Sequence, residues 1–131
     1  MFHVFSYTPV ITDTEAAPHI IEMHLTTGII HQVDVLFQSG AGHQEFVQIH
    51  RGGHQLWPSN REEKLRGDAT IVSFRDFLPI EPGETRFHAK VWTTLTASFK
   101  EIIIQIGTLP REILQPLSFE AIIKAIAGIE K

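Results

Sequence analysis

The sequence contains no cysteine, so disulfide bonds and thiol chemistry are both excluded. It has no long hydrophobic run either: the longest, such as the isoleucines at 102–104, are three residues long, whereas a membrane-spanning helix needs roughly 20. No basic segment followed by an apolar core opens the chain, so we expect no signal peptide and a cytoplasmic or virion location. The 11 basic residues are outnumbered by 15 acidic ones. This balance argues against binding to nucleic acid or to a membrane surface.

A chain of 131 residues with 43% hydrophobic and 20% charged content is typical of one globular domain. Apolar and polar residues alternate with a period of two through most of it, which is the pattern of half-buried strands. About eight such runs at regular spacing predict an all-β fold, an antiparallel, jelly-roll-like β-sandwich over residues 1–108. We expect residues 109–131 to form a C-terminal arm and helix, either within the same domain or as a subunit contact.

Two turns and one strand support this prediction. Gly52 and Gly53 separate two alternating runs, which is typical of a hairpin, and the simplest register places Ile49 opposite Leu56. Residues 81–84 read Glu-Pro-Gly-Glu and predict a type II turn. In the strand at 29–37, alternation predicts that one face points into the core. That face consists of Ile29, Val33, Val35 and Phe37, with His31 at its edge.

The strand around Ile103 is apolar on both faces, so we expect it at the centre of a sheet or beneath a partner. After it, Ser118 is a good N-cap for a short helix. Spacings of three and four residues give this helix an apolar stripe. The helix is too short to be stable alone, so it docks either on a neighbouring subunit or on its own sandwich. The possible oligomer contact consists of Phe119, Ile122, Ile123 and Ile126.

Eight histidines invite a metal hypothesis, but none of them forms a recognisable ligand set. His50 and His54 have helical metal-pair spacing, yet the glycines between them predict a hairpin that points them to opposite faces. The pairs His43 with Glu45 and Glu22 with His24 are weak signals. No nucleophile elbow or phosphate loop is present. We therefore predict no cofactor, no metal and no enzymatic activity.

A strand face that is basic and ends in tryptophan is the best candidate for a contact surface, because large aromatic side chains on polar faces favour binding. The other tryptophan is expected on the face that holds Phe46, Gln48 and His50. Either face could instead pack inside the protein. The possible contact surface consists of Trp57, His50, Arg86, His88, Lys90 and Trp92.

Several short motifs resemble small β-sandwich proteins of phage and viral particles. They are the strand at 28–37, His-Gln-Leu-Trp-Pro at 54–58, Arg-Gly-Asp at 66–68, Pro-Gly-Glu at 82–84 and Ile-Gly-Thr-Leu-Pro-Arg-Glu at 106–112. The resemblance implies a structural part in an assembly or in its decoration, and it implies no catalytic residues.

The leading functional hypothesis is therefore a non-enzymatic structural protein that forms a homo-oligomer within a larger protein assembly. The alternative is a carbohydrate- or ligand-binding sandwich that uses exposed tryptophans, which makes a glycan a possible partner. A third hypothesis is a small metal-dependent enzyme with a double-stranded β-helix.

Overall fold

The computed structural model describes residues 1–110, which form nine β-strands and no helix. The strands are β1 (Phe2–Tyr7), β2 (His19–His24), β3 (Gly28–Phe37), β4 (Glu45–Arg51), β5 (His54–Trp57), β6 (Leu65–Arg66), β7 (Thr70–Ile80), β8 (Arg86–Thr93) and β9 (Ile102–Leu109). Sheet A has the order β1-β9-β3-β7, and sheet B has the order β2-β8-β4-β5 with β6 also paired to β4. All pairings are antiparallel, so the predicted all-β sandwich is confirmed.

The strands pair in a nested order. β1 pairs with β9, β2 with β8, β3 with β7 and β4 with β5. The chain is thus one long antiparallel hairpin with Gly52 and Gly53 at its tip. Two further pairings, β3 with β9 and β4 with β8, join these pairs into sheets. Apart from the links from β4 to β6, every connection between successive strands crosses from one sheet to the other.

The core lies between the sheets and is built from the inward half of each alternating run. Phe37 and Ile30 of sheet A and Met23 and Phe87 of sheet B are buried completely or almost so. Burial of such side chains stabilises a fold by about 1.5–3 kcal/mol each. Ile103 lies on β9 between β1 and β3, so the predicted central position of that strand is confirmed.

Contacts between edge strands close both sides of the sandwich. On one side, Tyr7 of β1 stacks on His19 of β2 with ring centroids 3.7 Å apart. On the other side, the indole Nε1–H of Trp57 in β5 donates to Oδ2 of Asp76 in β7 at 2.9 Å. Since β1 and β7 are the edges of sheet A and β2 and β5 those of sheet B, these contacts tie the two sheets together along both sides.

Both predicted turns are present. The hairpin between β4 and β5 turns at residues 52 and 53. At residues 81–84, the N–H of Glu84 donates to the carbonyl of Glu81 at 3.0 Å, and Gly83 has a φ of 88°. Only a residue without a Cβ adopts that positive φ without strain, which is the condition for a type II turn.

The predicted core face of β3 is wrong at its start. A β-bulge between Ile30 and Gln32 shifts the register, so Ile30 is buried while Ile29 and His31 are only half-buried. An extra residue in one strand reverses which side chains point inward beyond it. His31 accordingly lies against the exposed Phe2, with ring centroids 6.0 Å apart.

A second register shift corrects the predicted hairpin. Ile49 lies opposite Trp57, and His50 lies opposite Gln55, because a bulge separates the two pairs. Trp57 therefore joins the core at 4% exposure, and the prediction that it shares the outer face with His50 is wrong.

Two further strands differ from the sequence pattern. β7 continues to Ile80 and includes Pro79, which an edge strand accommodates because no partner needs its missing N–H. β6 is only two residues long, which is too short to give a pattern of alternation in the sequence. Within residues 1–110, no helix is long and apolar enough to span a membrane. The predicted helix with Phe119, Ile122, Ile123 and Ile126 lies outside the described residues.

Replacing Trp57 with Phe removes the donor to Asp76 while keeping an aromatic ring in the core. We expect the free energy of unfolding to fall by about 1–3 kcal/mol, because a hydrogen bond to a carboxylate is lost and a void is left. Chemical denaturation measures the change. The control is Phe77→Leu at a site that is 72% exposed, where a change within about 0.5 kcal/mol is expected. Equal stability of Trp57→Phe and wild type would show that the hydrogen bond between Trp57 and Asp76 does not stabilise the fold.

Glu45 at the start of β4 has a buried ionisable carboxyl group. It is completely buried, its Oε2 accepts the backbone N–H of Lys100 at 2.9 Å, and no described residue hydrogen-bonds to its Oε1. Burial raises the pKa of this carboxyl, and the contacts with Lys100 oppose that rise only in part. The folded protein therefore holds the proton of Glu45 to a higher pH than the unfolded chain does.

Because the folded pKa of Glu45 is raised, its contribution to stability is complete below the unfolded pKa and is lost as pH rises through the folded pKa. Glu45→Gln keeps an acceptor for Lys100 and removes the buried charge. We expect the melting temperature of this variant, relative to wild type, to be higher at pH 8 than at pH 3, because only at pH 8 does the wild type bear the cost of the buried charge. The exposed Glu84→Gln serves as control. A relative melting temperature that is the same at both pH values would refute this role of Glu45.

Candidate functional site

The outer face of sheet B carries the polar side chains of three neighbouring strands. Cross-strand pairing places His50 opposite His88, and Gln48 opposite Lys90. The two imidazole rings stack with centroids 5.1 Å apart and planes 6° from parallel. On β5, Gln55 lies opposite His50 and continues the row. The sheet thus brings together side chains that are far apart in the chain.

Two loops turn this face into a cleft with a volume of about 780 Å³. One wall is the loop between β1 and β2, which contributes Glu15. The other wall is the loop after β5, which contributes Arg61 and Glu62. His50 and Lys90 lie on the floor. Gln48, Gln55, His54 and Trp92 also line the cleft.

Hydrogen bonds hold both walls in place. In the first wall, Oδ2 of Asp13 accepts from the Tyr7 hydroxyl at 2.6 Å, and the Asp13 carbonyl accepts from the N–H of Thr93 at 3.1 Å. Burial and the contact with Asp13 raise the pKa of Tyr7 to about 12, so its hydroxyl keeps its proton. In the second wall, the side-chain amide of Gln55 donates to the carbonyls of Pro58 at 2.7 Å and Asn60 at 3.0 Å.

The hydrogen bonds of Gln48 also determine the tautomer of His50. The Gln48 amide donates to the carbonyl of Glu63 at 2.8 Å, so its Oε1 is the atom that faces Nε2 of His50 at 3.3 Å. An amide oxygen only accepts, so Nε2 carries the proton in the neutral ring. Nδ1 of His50 is then the atom that gains a proton when the ring becomes charged.

The environment of the floor disfavours positive charge on the imidazoles. Burial, followed by Lys90, His88 and His54, lowers the pKa of His50 to about 4. Burial and Lys90 also lower the pKa of His88, although Glu22 opposes this. Both rings are therefore neutral at physiological pH, and their neutral form allows them to stack.

The sequence-predicted contact surface is partly assembled. His50, His88 and Lys90 lie together, whereas Arg86 is exposed at the far end of β8, outside the lining of the cleft. Trp92 is on this face but only 3% exposed, with its ring stacked on Phe46 at 5.6 Å. Because Trp57 lies in the core and Trp92 is covered, the structure contradicts the expectation of exposed tryptophan platforms.

His54 lies nearer to His50 than predicted. Alternation places these residues on opposite faces, yet both line the cleft, since His54 is exposed at the start of β5 directly after the turn. Within residues 1–110, no group of three or more histidine, aspartate or glutamate side chains is arranged to hold a metal ion.

The aspartate of the Arg-Gly-Asp sequence makes hydrogen bonds within the protein. Oδ1 of Asp68 accepts the backbone N–H groups of Gly40 at 2.8 Å and Gly42 at 3.2 Å, and these bonds lower the pKa of Asp68. Gly67 is buried, and a Cβ at this position would lie 3.1 Å from the ring of Phe37. The aspartate is therefore engaged in holding the loop between β3 and β4.

The outer face of sheet A differs because apolar side chains from all four strands lie on it. Phe2 and Val4 on β1 are 56% and 59% exposed, and Ile71 on β7 is 59% exposed. Between these edges, register places Ile103 opposite Leu36 and Leu36 opposite Ile71. Soluble monomers rarely expose large contiguous apolar surface without a function for it. Sequence periodicity indicated only that β9 was apolar on both sides and did not reveal that four strands share this face.

A small polar group lies within this apolar face. Asp34 accepts the hydroxyl of Ser73 at 2.5 Å and the side-chain amide of Gln32 at 3.2 Å. Arg75 lies opposite Gln32 on β7, so one negative and one positive side chain occupy the same face. The two charges and the apolar residues around them are the features available to a partner.

No protein-family model, curated protein or solved structure matches the chain. The side chains on the two outer faces are therefore the basis for proposing a function.

The low pKa of His50 can be measured directly. We expect its imidazole signals in a two-dimensional NMR titration to have a midpoint near pH 4. Replacing Lys90 with Met removes a nearby positive charge, so the midpoint should rise. Lys100→Met, which changes a lysine on another surface, should leave it unchanged. A midpoint that does not respond to Lys90→Met would show that the floor lacks the positive field described here.

Proposed function

We propose that the chain is a jelly-roll subunit that assembles with copies of itself through the outer face of sheet A, as a structural component of a larger particle. The exposed apolar side chains of that face are the single observation that carries the proposal. The two sheets and the nested pairing of first with last strands support the jelly-roll part of the proposal, and jelly rolls are found in viral capsid proteins. This supports the virion or decoration role that the sequence motifs imply.

A second copy of the chain is the occupant that best suits this face. Most homo-oligomers are symmetric, and a two-fold contact requires a surface that complements itself. The face meets this requirement because apolar residues on both edge strands, Val4 and Ile71, flank the opposite charges of Asp34 and Arg75. In a two-fold contact, the carboxylate of one copy approaches the guanidinium of the other while the apolar groups leave water.

The proposed role is structural rather than enzymatic. The cleft on sheet B offers neutral imidazoles and amides, and the amides of Gln48 and Gln55 are already hydrogen-bonded to backbone carbonyls. A histidine whose pKa is lowered to about 4 is a weak base and is poorly suited to activating a nucleophile. A structural subunit needs only a stable sandwich and a face for its neighbour.

Ile71→Asp tests the proposal, because it places a charge within the apolar part of the contact at a site that is 59% exposed. We expect wild type to sediment as an oligomer and Ile71→Asp to sediment as a monomer, with at least a tenfold rise in the dissociation constant. Ile11→Asp is the matched control, since Ile11 is 62% exposed on a loop away from this face. Circular dichroism confirms that each variant is folded, and Val4→Asp provides a second disruption of the same face.

Two outcomes would contradict the proposal. The first is a wild-type monomer at all concentrations tested. The second is an oligomer that survives both Ile71→Asp and Val4→Asp but dissociates when residues 111–131 are removed. That result would show that the subunits contact each other through the C-terminal segment and not through sheet A.

A further inference from the structure

The floor of the cleft on sheet B contains a lysine without a counter-ion. Lys90 is half-buried between the rows of β2 and β4, and no carboxylate of the described residues forms an ion pair with its ammonium. A partly buried charge is ordinarily paired or strongly solvated. The structure therefore places an unneutralised positive charge at the bottom of a cleft of about 780 Å³.

The histidines on this face beside Lys90 are neutral, so they neither add to its charge nor balance it. His50 is only 8% exposed, and the pKa of its ring is lowered by burial and by Lys90, His88 and His54. An anion at the floor would reverse that balance, because it would favour a proton on Nδ1 of His50. Glu22 of β2 lies opposite His88, whereas the residue of β2 opposite Lys90 is the apolar Ile20.

The walls suit hydroxyl groups. Glu15 on one wall and Arg61 and Glu62 on the other are exposed and polar, so they can donate and accept hydrogen bonds at the rim. Ser59 and the turn at Gly53 add further polar or backbone groups along the same wall. A cleft of this size lies within the range of small-ligand sites, roughly 300–1,000 Å³. An open trough with a charged floor and polar rims fits an elongated, hydroxyl-rich molecule better than an apolar one.

We propose that this cleft binds a saccharide that carries a carboxylate, with the carboxylate against Lys90 and beside His50 on the floor. Lys90 supplies the charge, and the carboxylate favours a proton on Nδ1 of His50, which then donates to it. The wall residues contact the hydroxyl groups of neighbouring sugar rings. This site needs no exposed tryptophan. It lies on the outer face of sheet B, so it is independent of self-association through sheet A.

Trigalacturonic acid and its fully methylated ester form a matched pair of probes, because they differ in charge and share the same sugar framework. We expect the acid to shift the NMR signals of His50 and His88 and to raise the titration midpoint of His50. The ester should bind at least tenfold more weakly. Lys90→Met should weaken binding of the acid at least tenfold, while Lys100→Met should change it by less than twofold.

Sodium sulfate at equal ionic strength separates a saccharide site from a simple anion site. Equal shifts with sulfate would overturn the proposal, as would equal affinity for the acid and the ester. Binding that is unchanged in Lys90→Met, or no binding of the acid at millimolar concentration, would overturn it too. The Ile71→Asp variant should bind the acid as wild type does, so loss of self-association and loss of saccharide binding are distinguishable.

Discussion

The nested pairing of strands is the constraint on which the rest of the structure depends. Because β1 pairs with β9 and β2 with β8, neither sheet is complete until the two ends of the described sandwich come together. Each sheet then has one face in the core and one face outside. The inner faces are nearly uniform in chemistry, so the properties that distinguish this protein lie on the two outer faces.

The outer faces differ because of their cross-strand neighbours. On sheet A, the row formed by Ile103, Leu36 and Ile71 is apolar across three strands. On sheet B, the rows around His50 and Lys90 are polar, and loops raise walls on either side. An apolar sheet face favours burial against another protein, whereas a walled polar face remains open to small molecules. One compact sandwich therefore has two surfaces suited to different partners.

Alternation of residues predicted the strands and the all-β class correctly, since a period of two follows directly from the geometry of a strand. It also indicated the central position of Ile103 and the turn at Gly83. It failed at His31 and Trp57, where bulges insert a residue and reverse the inward and outward positions. A bulge has no periodic signature of its own, so the sequence could not reveal which tryptophan entered the core.

The candidate sites depended even more on tertiary structure. Periodicity correctly grouped His88 with Lys90, because they are alternate residues of one strand. It did not predict the cleft, whose walls are loops joined to the sheet by Asp13 and Gln55. The apolar face of sheet A requires knowledge of which strands are neighbours, and a single sequence does not contain that order. The helix predicted around Phe119 stays a prediction.

The central claim is that the two outer faces have different roles, with sheet A contacting another copy and sheet B remaining accessible. The most direct test is methyl and amide NMR with a soluble paramagnetic probe at low and high protein concentration. We predict that signals of Val4, Leu36 and Ile71 become shielded from the probe as concentration rises, while those of His88 and Lys90 stay accessible. Shielding of the sheet B residues with sheet A still exposed would contradict the account.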